Sequence, residues 1–432
     1  MKKTLSLLAL LVFSQFLYAQ EDTLLLHYRQ KAIDYQQQIK VAKHRLSGSE
    51  SKVDAAKSDY LPQIDFKGDY RYYGKPLQLA PPSDGSSTIG EQTNNFYKLR
   101  LELYQPLYTG GYLQSTKKAA LSEVEMMKSM VGLKRQQVVL NSDLLYWRAA
   151  SKKETFHLYT KYRDIIGQFL KVINDRVEEE VVGKNELYQA KVRYNDAEYK
   201  TIRSKKEYIV SVMELNRMIG KPLNTPTSIS DSLIVVPWVK TEEVIADSAY
   251  VRRPEIGIYQ NLISKNEFNE KIVGSTYNPQ LGFIAGGNWG SPAPGLHLDP
   301  GFNYYIKANL LIPIIRWGKK KEQVYTARQQ TEASKLQMEE TKDKIKLEVQ
   351  SSYYQLTSSQ EQLDFAKGSL ENAAKNVSLM LDRYNEGLSS VLEVLDAQLY
   401  WQKTYLNYIL AKYEFNVAYS EYLYATGEFN KK

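Results

Sequence analysis

Leu381–Tyr400 reads LDRYNEGLSSVLEVLDAQLY, and the fold follows from it. Helix-forming residues run to Arg383 and Tyr384, the chain breaks at Asn385-Glu386-Gly387, and a second helical pattern begins at Ser389-Ser390. Glycine just past a helical run supplies the left-handed residue that ends a helix. A serine followed three or four positions later by a carboxylate fits an N-cap with charge in the first turn. The stretch is therefore the tip of a helical hairpin. A weaker copy lies 207 residues earlier: Arg176 matches Arg383, Glu186 matches Glu393, Leu187 matches Val394 and Ala190 matches Ala397. That first tip breaks near Val182-Gly183.

Proline placement extends the reading outward. All 14 prolines fall between Pro62 and Pro106 or between Pro222 and Pro313. Proline costs roughly 3 kcal/mol inside a helix, so the proline-free tracts Leu107–Lys221 and Ile314–Lys432 predict long uninterrupted helices. The first descending helix runs from Gly111 to about Glu179, roughly 67 residues and about 100 Å. Its return, Asn185–Met218, is about half as long, and a first arm at Glu21–Ser58 supplies the other half. The second copy has Pro254–Val273, Lys319–Tyr384 and Ser390–Tyr424 in the same roles. Two offset apolar seams on the first long helix, one through Val124, Met127 and Val131 and one through Met130, Leu133 and Leu140, call for helical neighbours on both sides.

The period changes from helical to alternating in two places. Ile64, Phe66, Tyr70 and Tyr72 alternate with Asp65, Lys67, Asp69 and Arg71, and Tyr97, Leu99, Leu101 and Leu103 alternate with Lys98, Arg100 and Glu102. Strands of about ten residues with one apolar face and tyrosine rims fit a transmembrane β-hairpin. Tyr277-Asn278-Pro279-Gln280 repeats Tyr60-Leu61-Pro62-Gln63, and Tyr304, Ile306, Ala308, Leu310 and Ile312 form the apolar face of a fourth strand. Four strands cannot close a barrel and an open edge cannot sit in lipid, so a membrane reading forces assembly of several chains.

These elements predict an internal duplication. Residues 1–19 form a signal peptide, with Lys2 and Lys3 before an apolar run too short to span a membrane as a helix. Residues 20–218 form a first repeat, with a β-hairpin at 60–108 and a tip near 180–185. Residues 219–253 are a mid-height linker with a short strand candidate at Leu233–Val236. Residues 254–432 form the second repeat, with a β-hairpin at 277–316 and a tip near 384–390.

Composition narrows the function. Of 57 Lys and Arg, Lys2 and Lys3 leave with the signal peptide, and against 49 Asp and Glu the mature charge is about +6, with nothing that calls for nucleic acid. Cysteine is absent and the four histidines are scattered, so neither a nucleophile nor a metal or cofactor site is expected. The chain is read as no enzyme.

The chain resembles the TolC-like outer-membrane efflux proteins. The resemblance rests on Tyr60–Gln63, Tyr277–Gln280, Gln105-Pro106-Leu107-Tyr108-Thr109-Gly110-Gly111, Arg253-Pro254-Glu255, Arg383-Tyr384 with Gly387, and Leu395-Asp396-Ala397-Gln398. It implies a mainly α fold with a membrane β-part. Duplicated long helical hairpins form an α-helical barrel, and four transmembrane strands per chain enter a shared trimeric β-barrel. It also implies a homotrimer in the outer membrane, in contact with its lipid, with a long periplasmic part. The partners it implies are a periplasmic adaptor (membrane fusion) protein and an inner-membrane pump. The function expected is a passive export duct of a tripartite system, gated at its periplasmic tip. A periplasmic adaptor or scaffold using its hairpins for contact is the competing reading, against which stand the two hairpins and the amphipathic strands.

The same resemblance places an acidic gate and selectivity ring at Glu393 and Asp396, three residues apart on one helix face. It pairs the Tyr384 hydroxyl with Glu186 of the first tip, so that Tyr384→Phe should raise conductance. Gly387 and Gly183 are the hairpin-turn residues. Two departures from the family pattern stand out: Glu180 where a glycine is usual, and Ser389 where some members carry a basic residue that braces the gate. Lys67, Arg71, Lys98 and Arg100 are expected to line the barrel lumen.

Overall fold

The computed structural model describes residues 23–75, 94–233, 235–236, 238, 246–291 and 300–430. The signal peptide, most of both strand-connecting loops and part of the linker lie outside the described residues. In chain order the elements are α1 (Thr23–Tyr35), α2 (Gln37–Ser58), β1 (Gln63–Tyr72), β2 (Asn95–Tyr108), α3 (Tyr112–Glu178), α4 (Lys184–Ile219), α5 (Ala246–Arg252), α6 (Pro254–Ser275), β3 (Gln280–Ser291), β4 (Gly301–Leu311), α7 (Lys319–Asn385) and α8 (Val391–Ala425). A 3-10 turn closes the described chain at Glu428–Asn430. The two longest helices, α3 and α7, each have 67 residues and no proline.

The first arm is two helices rather than one. Gln36 interrupts it, and its side-chain amide donates to the Met218 carbonyl at 2.6 Å in the last turn of α4. The break thus satisfies one of the carbonyls that a helix end leaves without a partner.

The described residues form two compact units. One draws on Met1–Lys43, Met130–Ile256 and Glu340–Lys432, the other on His44–Ser129 and Gly257–Glu339. The second unit holds one antiparallel sheet in the order β1-β2-β3-β4. Its register aligns the alternating faces across all four strands: Phe66 faces Leu101, Leu101 faces Gly287, and Gly287 faces Tyr304. Ile64, Phe66, Tyr70, Tyr72, Leu99, Leu101, Trp289, Phe302, Tyr304 and Ile306 on this face are all exposed. Ten to fourteen residues per strand match the length that crosses a bilayer at a tilt. The opposite face carries Lys67 paired with Arg100 and Asp69 paired with Lys98, in mixed charge. There Tyr305 lies over Gly286, where an added Cβ would come within 2.9 Å of its ring, and its hydroxyl donates to Glu102 at 2.6 Å. Pro106 cannot donate to the ladder, and the β2–β3 register shifts between Pro106 and Tyr108.

In the same unit polar contacts tie the helices together. Glu123 on α3 accepts from Lys52 of α2 at 2.6 Å and from Lys265 of α6 at 2.8 Å. Buried Asn266 of α6 donates to Ser334 of α7 at 2.9 Å.

The first unit has the larger apolar core, with Tyr28, Ala32, Tyr146, Trp147, Leu215 and Ile409 drawn from α1, α3, α4 and α8. Its buried charges are paired, as burial requires. Arg29 holds Asp143 through two 2.7 Å bonds, and Lys412 of α8 holds both oxygens of Glu154 of α3 at 2.6 and 2.8 Å. Leu233–Val236, expected as a strand, has no strand partner among the described residues. Its N–H groups go to side chains instead: Leu233 donates to Glu154 at 3.0 Å and Val236 to Asn416 at 3.3 Å. Helix side chains thus take the place of a β-ladder, while Leu233 and Val236 sink into the core.

Candidate functional site

The backbone of the two tips is the same. At the second, Gly387 has φ +75°, Leu388 N–H donates to the Arg383 carbonyl at 2.8 Å, and Gly387 N–H donates to Tyr384 at 3.1 Å. At the first, Glu180 has φ +59°, Val181 N–H donates to Arg176 at 2.9 Å, and Glu180 N–H donates to Val177 at 3.2 Å. This is the crossed pair of bonds that closes helices through a left-handed residue. The departure at Glu180 therefore leaves the turn unchanged and is met by strain, since a residue with a Cβ in that conformation costs about 1–2 kcal/mol. Gly183 is not the left-handed residue. Its φ of −77° and ψ of 152° make it the extended N-cap of α4, with no side chain to bond the helix end.

The second tip is capped on both sides. Ser390 Oγ accepts from Glu393 N–H at 3.3 Å, and Glu393 Oε2 accepts from Ser390 N–H at 2.7 Å and Oγ at 3.0 Å. These donors, the Ser390 backbone N–H first, pull the Glu393 carboxyl below its ordinary pKa and keep it ionised. Ser389 donates to the Met380 carbonyl at 3.2 Å, fastening the turn to α7.

Under the tips, both hairpins share one apolar cluster. It contains Tyr162, Ile166, Phe169 and Ile173 of α3, Ala190 and Ala197 of α4, Tyr384 of α7, and Val391, Val394 and Leu395 of α8. Tyr384 is turned into it, with its ring edge-on to Phe169 at 5.2 Å and the Arg176 guanidinium 4.4 Å from its centroid. Its hydroxyl has no hydrogen-bond partner, and neither has Oε2 of Glu186. The Tyr384–Glu186 bond expected from the resemblance is thus absent, because aromatic and cation–π packing fixes the ring instead. Tyr162 is wholly buried and its hydroxyl is likewise unpaired, so desolvation pushes its pKa up to about 12.

The carboxylates have different surroundings. Glu393 is engaged in its own helix cap. Asp396 is bound across the hairpins by Arg193 of α4, Nη2 to Oδ1 at 3.1 Å. Sequence reasoning missed Arg193. Its spacing carries no signal, since only the packing of α4 on α8 brings it to Asp396. A cation does reach Asp396, but from Arg193 and not from position 389. Among the described residues no three His, Cys, Asp or Glu cluster as a metal site would need, and no helix is long and apolar enough to cross a membrane.

An antiparallel sheet with one exposed apolar face and two long helical hairpins in one chain define a class of membrane channel. The comparisons give the family. The sequence profile described as Outer membrane efflux protein matches residues 28–221 and 246–427, and the chain belongs to that family. The chain is 22% identical over 453 aligned positions to the outer membrane protein TolC of Salmonella enteritidis, covering all of this chain and 87% of that protein. In fold it is similar to the Campylobacter jejuni CmeC outer membrane channel, with TM-score 0.79, 17% identity and coverage of 94% of this chain and 86% of that one. The open state of the Neisseria gonorrhoeae MtrE outer membrane channel gives TM-score 0.78 at 15% identity, over 94% and 89% of the two chains. The protein is an outer-membrane efflux channel of the tripartite kind, with a long periplasmic helical part, and not an enzyme. Its fold is that of the family: helical hairpins of an α-barrel and four strands of a shared β-barrel.

Proposed function

We propose that the chain works as a homotrimer whose two tips form a cation-selective gate at the periplasmic mouth, docking there on an adaptor protein and an inner-membrane pump. The observation that carries the trimer is the open sheet: among the described residues β1 and β4 each present an unpaired edge, and an edge cannot rest in lipid. The helices add support. Tyr188, Val192, Tyr199, Ile202 and Ile209 make an exposed seam along α4, and Leu347, Tyr354, Phe365 and Leu379 make one along α7. Spacings of 4, 7, 3 and 7 on α4 and of 7, 11 and 14 on α7 keep each seam on one helix face, which suits a neighbouring copy. The division into repeats at 20–218 and 254–432, joined by 219–253, is part of the same proposal, supported by elements that recur in the same order.

At the gate, Glu393 supplies a charge that its helix cap keeps ionised, and Asp396 the charge that Arg193 offsets while the hairpins are together. Moving one hairpin off the other separates that pair. Opening therefore both widens the mouth and adds three carboxylates to it. Tyr384 is the packing pivot between the hairpins, and Glu186 stands in the first tip with one oxygen unpaired. Gly387 and Glu180 hold the turns, and Gly183 starts the return of the first. The mass of the detergent-solubilised protein tests the assembly. Three chains per particle are expected, and a monomer that still conducts would overturn the proposal.

A further inference from the structure

The two strand exits differ more than the strands do. In the first copy the exit is Thr109-Gly110-Gly111-Tyr112-Leu113-Gln114, and both glycines take positive φ, +66° and +93°. In the second it is Arg316-Trp317-Gly318-Lys319-Lys320-Lys321, where Trp317 has φ +47° and Gly318 +79°. Tryptophan thus occupies a left-handed position that its counterpart fills with glycine, a conformation costly for a bulky side chain. The ring stands clear of the protein, with Trp317 93% exposed. Ile312, Ile314 and Ile315 beside it are also exposed, at 53%, 88% and 64%. Arg316, Lys319, Lys320 and Lys321 make no ion pair among the described residues, and the first copy has no cation at any of the four matching positions.

We propose that Ile312–Lys321 is an interfacial anchor that seats on an anionic phospholipid leaflet at the helix side of the membrane. The inference rests on the membrane reading of the sheet and adds to it a lipid class and the residues that select it. Three observations choose this occupant. The apolar face of β4 runs through Ile306 and Leu310 into Ile312, so the patch continues the face that the membrane reading turns toward acyl chains. An indole projecting at the end of such a strand belongs at headgroup depth. Four unpaired cations within six residues complement a negative surface, where each basic side chain is worth about 1 kcal/mol.

The test uses the full-length, detergent-solubilised protein with phosphatidylglycerol and phosphatidylcholine offered in equal amounts, retained lipid being counted by native mass spectrometry. The wild type should retain phosphatidylglycerol preferentially. The variant K319Q/K320Q/K321Q should lose up to roughly a hundredfold of that preference, since about 1 kcal/mol for each of three cations corresponds to about fivefold apiece. It should still insert and conduct. Trp317→Gly relieves the backbone, so any loss it shows comes from the indole and not from misfolding. In bilayers of brominated phospholipid the fluorescence quenched in the wild type should exceed that in Trp317→Phe. Equal retention of the two lipids by the wild type, or an unchanged preference in the triple variant, would overturn the anchor while leaving the channel reading intact. Absence of Trp317 quenching in an inserted protein would assign the patch to a neighbouring copy and also overturn it. A protein that never inserts would end both readings.

Discussion

At the first tip a strained Glu180 holds the turn and Gly183 starts the return helix without a cap. At the second, Gly387 adopts the same conformation freely and Ser390 and Glu393 bond each other's backbone. The two turns share their closing pair of hydrogen bonds, and the first adds one from Val182 N–H to the Arg176 carbonyl at 3.3 Å. The two tips share the left-handed closing turn while their local stability differs, leaving the first tip as the softer of the two. A left-handed glutamate costs about 1–2 kcal/mol, and glycine in place of a serine cap costs about a few tenths of a kcal/mol more. The first hairpin is therefore the one expected to fray or move, against a second hairpin that stays closed.

The largest test removes the residue that joins them. Tyr384→Ala should cost about 3–5 kcal/mol by emptying the shared cluster, read as faster hydrogen exchange at both tips. Tyr384→Phe should be neutral within about 0.5 kcal/mol and leave conductance unchanged, because the hydroxyl it deletes has no partner. A rise in conductance in the Phe variant would mean that the hydroxyl does hold the gate.

Exchanging the turn residues should narrow or widen the difference. Glu180→Gly should slow exchange at the first tip by about 1 kcal/mol, and Gly387→Ala should speed it at the second by a similar amount. Equal responses of the same sign would contradict the assignment of strain. Ser390→Ala should loosen the start of α8 by about 1 kcal/mol, whereas Gly183→Ser should tighten α4 by only a few tenths, since glycine is already a fair cap. The smallest effect is that of pH. Glu393 is held below its ordinary pKa, so its contribution is present above the unfolded value and fades as pH falls through the folded one. Exchange of the Glu393 amide should rise in acid below the usual carboxylate range. A pH-independent amide there would show that the cap does not depend on the charge.

Much of this was legible in the sequence, because long-range proline exclusion and strict alternation report directly on local geometry. The 67 residues expected for the first long helix are the 67 of Tyr112–Glu178, and the strand faces read from Ile64 to Tyr72 are those that the register aligns. What escaped depends on neighbours distant in the chain. Gln36 breaks the first arm because the end of α4 offers a carbonyl. Leu233–Val236 has strand-like composition but finds Glu154 and Asn416 as acceptors for its N–H groups. Tyr384 was expected to spend its hydroxyl on Glu186, whereas Phe169 and Arg176 claim its ring. Arg193 reaches Asp396 across 203 positions of sequence, a pairing that no periodicity reveals.

The gate is tested most directly by single-channel recording of the purified protein in a planar bilayer, comparing wild type with Glu393→Gln, Asp396→Asn and the double variant, with and without a divalent cation. Gln can still cap and Asn can still accept from Arg193, so the fold should survive. The account predicts cation-selective openings blocked by divalent ions from the tip side. Selectivity should fall more in Glu393→Gln than in Asp396→Asn, and most in the double variant. Selectivity and block unchanged in the double variant would place the constriction elsewhere and contradict the acidic gate.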